Sequence, residues 1–218
     1  MPQIKICGIT KLEEIEYLNK NKVDYAGFVF YGKSKRNVSI PQAKKLMDLL
    51  DKNIKRTAVA VSPDEEMAWR LQQAGFDILQ VHGELKEQVL KSCRLPIWRA
   101  VNIRSIREAK EQLDREQAFS NPHLTGFVVD GASYGSGKTF RWEEINGDFS
   151  EEEVFANLLP KMKEKTFILA GGLTALNVSE GIRIFSPDVV DVSSGVEGKD
   201  GKEKEKIEEF VKEVRIYG

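Results

Sequence analysis

Residues 167–195 read FILA-GGLTALNVSEGIRIFSPD-VVDV-SSG. Two short apolar runs, at 167–170 and 189–192, flank an amphipathic stretch at 176–185, and glycines or serines follow each run directly. Uninterrupted apolar runs are typical of strands in a parallel sheet whose faces are covered by helices. The segment therefore predicts a strand, a helix and a parallel strand, with a glycine- or serine-containing loop after each strand.

The same alternation extends through the rest of the chain. We predict further strands over 3–7, 25–30, 57–61, 78–81, 97–101 and 126–130, and helices over 11–21, 42–50, 65–74, 85–92, 106–117, 154–163, 176–185 and 203–215. Cap-type residues Thr10, Asp64 and Ser105 precede three of these helices, and Gly75 follows one. Eight strands and eight helices within 218 residues predict an α/β chain that folds as a single-domain (β/α)8 TIM barrel over residues 1–218.

The alternative is an open, doubly wound sheet of the kind that binds dinucleotides. Such a sheet carries a G-x-G-x-x-G segment after its first strand, and the segment after residues 3–7 reads GITKLEE instead. The sequence therefore favours the closed barrel.

Composition excludes several classes of protein. The 33 basic and 34 acidic residues leave a formal net charge of −1, which predicts no nucleic-acid partner. No apolar run approaches the roughly 18 residues of a membrane span, and the start of the chain lacks a secretory signal pattern. Two cysteines do not make a disulfide scaffold. We expect a cytoplasmic enzyme with Cys7 and Cys93 as free thiols, and a structural role for Cys93.

Two polar segments interrupt the regular pattern. The acidic stretch at 146–153, NGDFSEEE, predicts a surface insertion. The charged stretch at 199–206, KDGKEKEK, predicts a solvated loop and helix start and not a binding tail.

Function in a barrel of this type lies at the carboxyl ends of the strands and in the loops that follow them. Gly171 and Gly172 follow the seventh strand, and Ser193, Ser194 and Gly195 follow the eighth. Glycines let backbone N–H groups approach a ligand closely, and these two loops are the usual phosphate site of the fold. The alternative is that the glycines only form tight turns, but their joint position favours a phosphate site.

Candidate acid–base groups lie at or next to the ends of the first, sixth and eighth strands. Cys7 could act as a base, since an ordinary thiol with a pKa of about 8.5 needs only modest help to ionise, or it could be a small buried apolar residue. Asp130 follows three apolar strand residues and could be a carboxylic acid with a raised pKa, or a carboxylate that accepts hydrogen bonds from the next turn. The same alternatives apply to Asp191.

Two further polar residues complete the predicted site. Arg36 could bind a planar carboxylate through two parallel hydrogen bonds, although an arginine beside lysines is also an ordinary surface residue. His82 ends the fourth strand and could contact substrate or simply be a hydrogen-bonded rim residue. With two histidines and no cluster of cysteine and histidine, the sequence predicts no metal site.

Six blocks of the sequence, taken in order, resemble the phosphoribosylanthranilate isomerase family. They are KICGIT at 5–10, GFVF at 27–30 with SKRNVS at 34–39, LQVHG at 79–83, VD at 129–130 with GSGKTF at 135–140 and Trp142, LAGGL at 169–173, and DVSSGVE at 191–197. A single block is weak evidence, whereas six blocks over nearly the whole chain are specific.

The resemblance implies an Amadori rearrangement of N-(5-phosphoribosyl)anthranilate in tryptophan biosynthesis. It implies that Asp130 is the general acid, Cys7 the general base and Arg36 the ligand of the substrate carboxylate. The loops with Gly171, Gly172, Ser193, Ser194 and Gly195 would hold the phosphate, with His82 and Asp191 as additional contacts. It implies no cofactor, a phosphoribosyl compound as the small-molecule partner, and a monomer or homodimer.

The sequence departs from the family pattern at Arg141 and Tyr134, so the conformation of the sixth loop is open. Two rival functions also stay open. One is another phosphosugar barrel enzyme, such as indoleglycerol-phosphate synthase, for which Lys5 would be the catalytic lysine on the inward face. The other is a binding protein without catalysis, against which the presence of both Cys7 and Asp130 argues.

Overall fold

The computed structural model describes residues 1–102, 106–130 and 149–217, and it leaves the side chains of 106–109, 112 and 149–155 undescribed. Ser105, Tyr134, Arg141 and Trp142 lie outside the described residues. The strands are β1 (Gln3–Cys7), β2 (Tyr25–Phe30), β3 (Lys55–Val61), β4 (Ile78–His82), β5 (Ile97–Asn102), β6 (Leu124–Asp130), β7 (Thr166–Ala170) and β8 (Val189–Val192).

The helices alternate with these strands, as the sequence predicted. They are α1 (Leu12–Asn21), α2 (Ile40–Met47), α3 (Glu65–Gln73), α4 (Glu87–Ser92), α5 (Ile106–Arg115), α6 (Phe149–Lys163), α7 (Val178–Phe185) and α8 (Lys204–Tyr217). The predicted surface insertion at 146–153 is wrong from residue 149 onward, because α6 already begins there. Its acidic residues stand in the first turns of a helix, where negative charge is favourable.

The eight strands form a closed parallel barrel in chain order. Every neighbouring pair is parallel, and β8 closes the sheet on β1 through the pairing of Lys5 with Asp191. The predicted α/β TIM barrel is confirmed, and the open doubly wound sheet is excluded.

Two apolar clusters lie on the two sides of the sheet. The larger one fills the space between the strands and the surrounding helices. The smaller one fills the interior of the barrel and consists of Tyr25, Ile78, Trp98, Val128, Ile168, Ala170 and Val189. Buried polar residues share that interior, among them Lys5, Thr57, Gln80 and Asp191. Because parallel strands end together, polar groups near their carboxyl ends meet in one place.

Local signals in the sequence predict the start of α3 correctly and the cap of α1 wrongly. Asp64 caps α3 by accepting a hydrogen bond of 2.8 Å from the Met67 N–H, as predicted, and Gly75 follows α3 with φ at 90°. The prediction of Thr10 as a cap is wrong: Lys11 is the cap of α1. The Glu14 carboxylate accepts from the backbone N–H of both Thr10 and Lys11, as the N3 side chain of a capping box does.

Candidate active site

A cavity of about 490 Å³ opens at the carboxyl ends of the strands. All of the predicted site residues except Gly195 line it, together with apolar residues of β2 and β3: Cys7, Arg36, His82, Asp130, Gly171, Gly172, Asp191, Ser193, Ser194, Val29, Val59 and Val61. The barrel therefore brings into one pocket groups that are far apart in the sequence, as the fold predicts.

Cys7 stands at the end of β1 and is 8% exposed. Its thiol faces Gly27 on β2, where an added Cβ would lie 2.8 Å from the sulfur. A side chain at position 27 would therefore occupy the space that the thiol uses. The Ser193 hydroxyl donates a hydrogen bond of 2.9 Å to the Cys7 carbonyl and joins the ends of β1 and β8.

Charged groups of both signs surround the Cys7 thiol. Burial raises its pKa above the ordinary value, and this is the largest effect. The ammonium groups of Lys5 and Lys202 act in the opposite direction, whereas Asp191 adds to the rise. The ionisation of Cys7 thus depends on the positive groups that face it.

Lys5 and Asp191 form a buried ion pair at 2.7 Å, across paired positions of β1 and β8. Lys5 is completely buried and does not line the cavity. It lies two residues before the end of β1, whereas the rival synthase would require a catalytic lysine at a strand end. Asp191 lines the cavity, and its second oxygen, Oδ1, has no hydrogen-bond partner among the described residues. Burial raises the pKa of Asp191, and Lys5 opposes that rise.

Arg36 is held by Glu197 through two hydrogen bonds, of 2.5 Å from Nε and 2.8 Å from Nη2. The same carboxylate accepts from Lys202 at 2.7 Å and from Lys35 at 3.0 Å. Although burial of the carboxyl acts to raise its pKa, Arg36 and Lys202 lower the pKa of Glu197 to about 2. Glu197 is therefore ionised at neutral pH and fixes the guanidinium at the cavity edge.

Lys202 corrects the prediction of a solvated loop at 199–206. It is 6% exposed, and its ammonium donates to the carbonyl and hydroxyl of Ser193 at 3.0 and 3.2 Å. Lys202 was not predicted as a site residue because a lysine within a charged run is usually solvated. The feature of the sequence that could have indicated its role is its position shortly after the loop that follows β8.

The two late loops form one wall of the cavity. Gly171 and Gly172 have φ angles of 89° and 70°, a left-handed backbone that favours glycine. Gly195 lies behind this wall, since its Cα packs against the Leu173 carbonyl so closely that no side chain would fit. Gly195 therefore packs the two loops together, and its predicted part in the phosphate site stays a prediction.

Asp130, His82 and Gln80 occupy another part of the cavity wall. The side-chain nitrogens Nε2 of Gln80 and Nε2 of His82 are 2.9 Å apart, which fits an amide N–H that donates to an unprotonated ring nitrogen. Burial, followed by the positive charges of Lys5 and Arg99, lowers the pKa of His82 to about 3. The ring is therefore neutral at physiological pH.

Residues 4–213 match the family described as N-(5′-phosphoribosyl)anthranilate (PRA) isomerase. A protein of that name from Thermoanaerobacter sp. strain X514 is 39% identical over 221 residues, which cover 99% of this chain and 98% of the relative. The chain belongs to the N-(5′-phosphoribosyl)anthranilate isomerase family. The resemblance of the six sequence blocks is confirmed, and so is the predicted class of enzyme, an isomerase of tryptophan biosynthesis.

Solved structures agree with this assignment. The Thermotoga maritima isomerase superposes with a TM-score of 0.81 at 28% identity, with 99% of both chains covered. A structure of a phosphoribosylanthranilate isomerase in complex with reduced 1-(o-carboxyphenylamino)-1-deoxyribulose 5-phosphate gives a TM-score of 0.78 at 27% identity, again over 99% of both chains.

Three smaller predictions can also be compared with the described residues. Cys7 and Cys93 are both free thiols, as expected. No helix in the described part of the chain is long and apolar enough to cross a membrane. Within the same residues, no three His, Cys, Asp or Glu side chains are grouped as they would be around a metal ion.

Proposed function

We propose that this protein performs the Amadori rearrangement of N-(5′-phosphoribosyl)anthranilate with Cys7 as the general base and Asp130 as the general acid. The observation that carries the proposal is that one cavity holds a thiol, a carboxyl group and a carboxylate-binding guanidinium beside the two glycine- and serine-containing loops. Acid and base come from β1 and β6, strands that are not neighbours, so they can reach different faces of a bound sugar.

In the first step, Asp130 gives its proton to the furanose ring oxygen as the bond from that oxygen to C1 breaks. The substrate nitrogen supplies the electron pair that forms the C=N bond of a Schiff base. The Cys7 thiolate then takes the proton from C2, and the electrons of that C–H bond return to the nitrogen through C1. The enolamine tautomerises to the ketone: C1 gains a proton, the C2 hydroxyl loses one, and both protein groups regain their starting protonation.

Substrate binding uses the charges around the two catalytic groups. Arg36 would donate hydrogen bonds to the anthranilate carboxylate from the side of the guanidinium that Glu197 leaves open. Gly171, Gly172, Ser193, Ser194 and Gly195 would hold the phosphate through backbone N–H and hydroxyl groups. The ligand in the similar solved isomerase carries both a carboxyphenyl group and a 5-phosphate, the two features that this division of the pocket would recognise.

The scheme needs no cofactor, because the substrate nitrogen itself accepts the electrons. We also propose a cytoplasmic location, a monomer or homodimer, and no nucleic-acid partner. A binding protein without catalysis is the second candidate, and the joint presence of Cys7 and Asp130 in one pocket favours the enzyme.

Anthranilate-type fluorescence tests the proposal. Substrate is generated in place from anthranilate and phosphoribosyl pyrophosphate by the upstream transferase, and its decay is compared for the unmodified chain, Cys7→Ser, Asp130→Asn and Cys93→Ser. We expect kcat to fall roughly 10²- to 10⁴-fold in the first two variants, the usual contribution of a general acid or base, and to stay near normal in Cys93→Ser. Near-normal turnover of a folded Cys7→Ser or Asp130→Asn variant would remove that residue from its role.

A further inference from the structure

Lys5 is a buried charge to which the proposed mechanism gives no task. Its side chain has no solvent exposure and is among the largest fully buried side chains of the protein. Placing an ammonium group in an apolar interior is unfavourable in free energy, and a counter-ion offsets only part of that penalty. The interior of this barrel otherwise contains mainly apolar side chains, so the lysine needs an explanation.

The position of Lys5 is fixed from the neighbouring strand. Its Nζ donates to Asp191 Oδ2 at 2.7 Å, and the two residues are paired in the β1–β8 register. Residues two apart on a strand point to the same face, so Lys5 and Cys7 both project into the barrel. The ammonium that pairs with Asp191 therefore lies in the same buried part of the barrel as the Cys7 sulfur, and the two side chains attract each other when both are ionised.

Lys5 remains charged in this position. Burial acts to lower its pKa, but the attraction of Asp191, followed by that of Cys7, outweighs burial, and the pKa of Lys5 is raised. A permanent positive charge next to a thiol favours the thiolate over the neutral form.

Other charged groups also act on the Cys7 thiol, and ion pairs with other residues neutralise part of their effect. Asp191 opposes ionisation of the thiol, whereas Lys202 and Arg36 favour it. Lys202 and Arg36 both donate to the Glu197 carboxylate, which neutralises part of their effect. After burial, Lys5 has the strongest influence on the thiol of all the facing groups.

We propose that Lys5 is the positioning residue of the general base: its ammonium, anchored by Asp191 on the inward face that also carries Cys7, stabilises by its charge the thiolate that removes the C2 proton. The inference rests on the proposed role of Cys7. It assigns to the Lys5–Asp191 pair opposite effects on one sulfur, favourable from the lysine and unfavourable from the aspartate.

The rate at which iodoacetamide alkylates Cys7 measures the thiolate directly and does not depend on turnover. The modified Cys7 peptide is quantified by mass spectrometry at one pH near neutrality, in the unmodified chain, Lys5→Met and Asp191→Asn. An opposite charge within reach commonly shifts a pKa by about 1–3 units, and about half of that is offset because a more basic thiolate is more nucleophilic. We therefore expect alkylation to slow about 3- to 30-fold in Lys5→Met.

Asp191→Asn alone has two opposing effects, because it removes a negative charge that faces the sulfur and also the carboxylate that keeps Lys5 charged. The double variant Lys5→Met/Asp191→Asn is therefore alkylated under the same conditions: with Lys5 absent, loss of Asp191 should accelerate alkylation relative to Lys5→Met. Slower alkylation in Lys5→Met, with recovery in the double variant, supports the proposal. Unchanged or faster alkylation in Lys5→Met, or no recovery in the double variant, would overturn it. If Lys5→Met does not fold, Lys5→Gln replaces it, since its amide can still donate a hydrogen bond to Asp191, and the same outcomes decide.

The pH profile of kcat/KM gives a second readout. In Lys5→Met the rise of activity with pH should move to higher pH, with activity recovering under alkaline conditions. The failure of this inference is distinguishable from failure of the proposed function: an unchanged thiol in Lys5→Met dismisses the role of Lys5, whereas a fully active Cys7→Ser variant dismisses Cys7 as the base.

Discussion

The cavity wall has two sides with different electrostatic character. The base side, which holds the proposed base Cys7, is rich in charges: Lys5 and Asp191 form one ion pair, and Arg36 and Lys202 both pair with Glu197. The acid side consists of the proposed acid Asp130 with Gln80 and His82, and the His82 ring is neutral at physiological pH. Positive groups favour a thiolate over a neutral thiol.

The proposed roles require Cys7 and Asp130 to ionise in an order opposite to that of free side chains, because an ordinary carboxyl group ionises well below an ordinary thiol. The proposal therefore depends on the surroundings of each group. Lys5 and Lys202 counter the effect of burial on the pKa of Cys7, whereas the amide of Gln80 and the neutral ring of His82 share the cavity wall with Asp130.

Among the changes that disturb only one side of the cavity, Gly27→Ala is expected to have the largest effect on turnover. The new methyl group would meet the Cys7 sulfur and displace it, and an error of about 1 Å in a catalytic group can cost roughly 10²-fold in rate. Gly126→Ala is the matched control: its methyl group would meet Trp98 at the other end of the barrel interior, 2.7 Å from Cδ1. Turnover and thermal unfolding are measured for both. If Gly27→Ala and Gly126→Ala lost the same amount of turnover for the same loss of stability, the space around the thiol would have no special importance for catalysis.

A smaller effect on substrate binding is expected from Arg36→Ala. A charged hydrogen bond contributes about 1.5–3 kcal/mol, so we expect KM to rise roughly 10- to 100-fold with less change in kcat. Lys35→Ala is the control, because Lys35 contacts the same Glu197 carboxylate but is 71% exposed at its side chain. A loss confined to kcat, or an equal rise of KM in Lys35→Ala, would argue against Arg36 as the ligand of the substrate carboxylate.

The smallest expected effect is a change in how the free energy of unfolding depends on pH, and it comes from His82 on the acid side. The pKa of His82 is about 3 in the folded chain and about 6.5 when unfolded. Between these values the unfolded chain binds a proton that the folded chain does not, so stability falls as pH decreases through this window. In His82→Gln we expect this fall to be shallower by up to about 1.4 kcal/mol per pH unit. Urea unfolding at a series of pH values measures it, with the exposed His123→Gln variant for comparison.

The sequence predicted most of the barrel because the strand pattern and the loop glycines are local signals. Asp130, His82 and Asp191 could be placed at one pocket because each is the last or the penultimate residue of a strand in a fold whose strand ends converge. The start of α2 shows the limit of local reasoning. Ser39 caps this helix by accepting from the Gln42 N–H at 3.3 Å, so the helix begins at Ile40 and not at residue 42 as predicted.

The charges of the base side could not be predicted in this way. The burial of Lys202 depends on the meeting of its loop with Ser193 and Glu197, and nothing in KDGKEKEK distinguishes it from its solvated neighbours. The ion pair of Lys5 with Asp191 joins residues 186 positions apart. It follows from the β1–β8 register, which exists only once the barrel closes. The packing of Gly195 against Leu173 could not be predicted for the same reason, since it is a tertiary contact.

The division of work between the two sides is tested most directly by single-turnover rates with substrate that carries deuterium at the sugar C2. Cys7→Ser should make removal of the C2 proton the slow step, so the primary isotope effect should increase relative to the unmodified chain. Asp130→Asn should make ring opening the slow step, so the isotope effect should disappear. Equal isotope effects in the two variants, or the reverse order, would contradict the assignment of the base to the charged side and the acid to the neutral one.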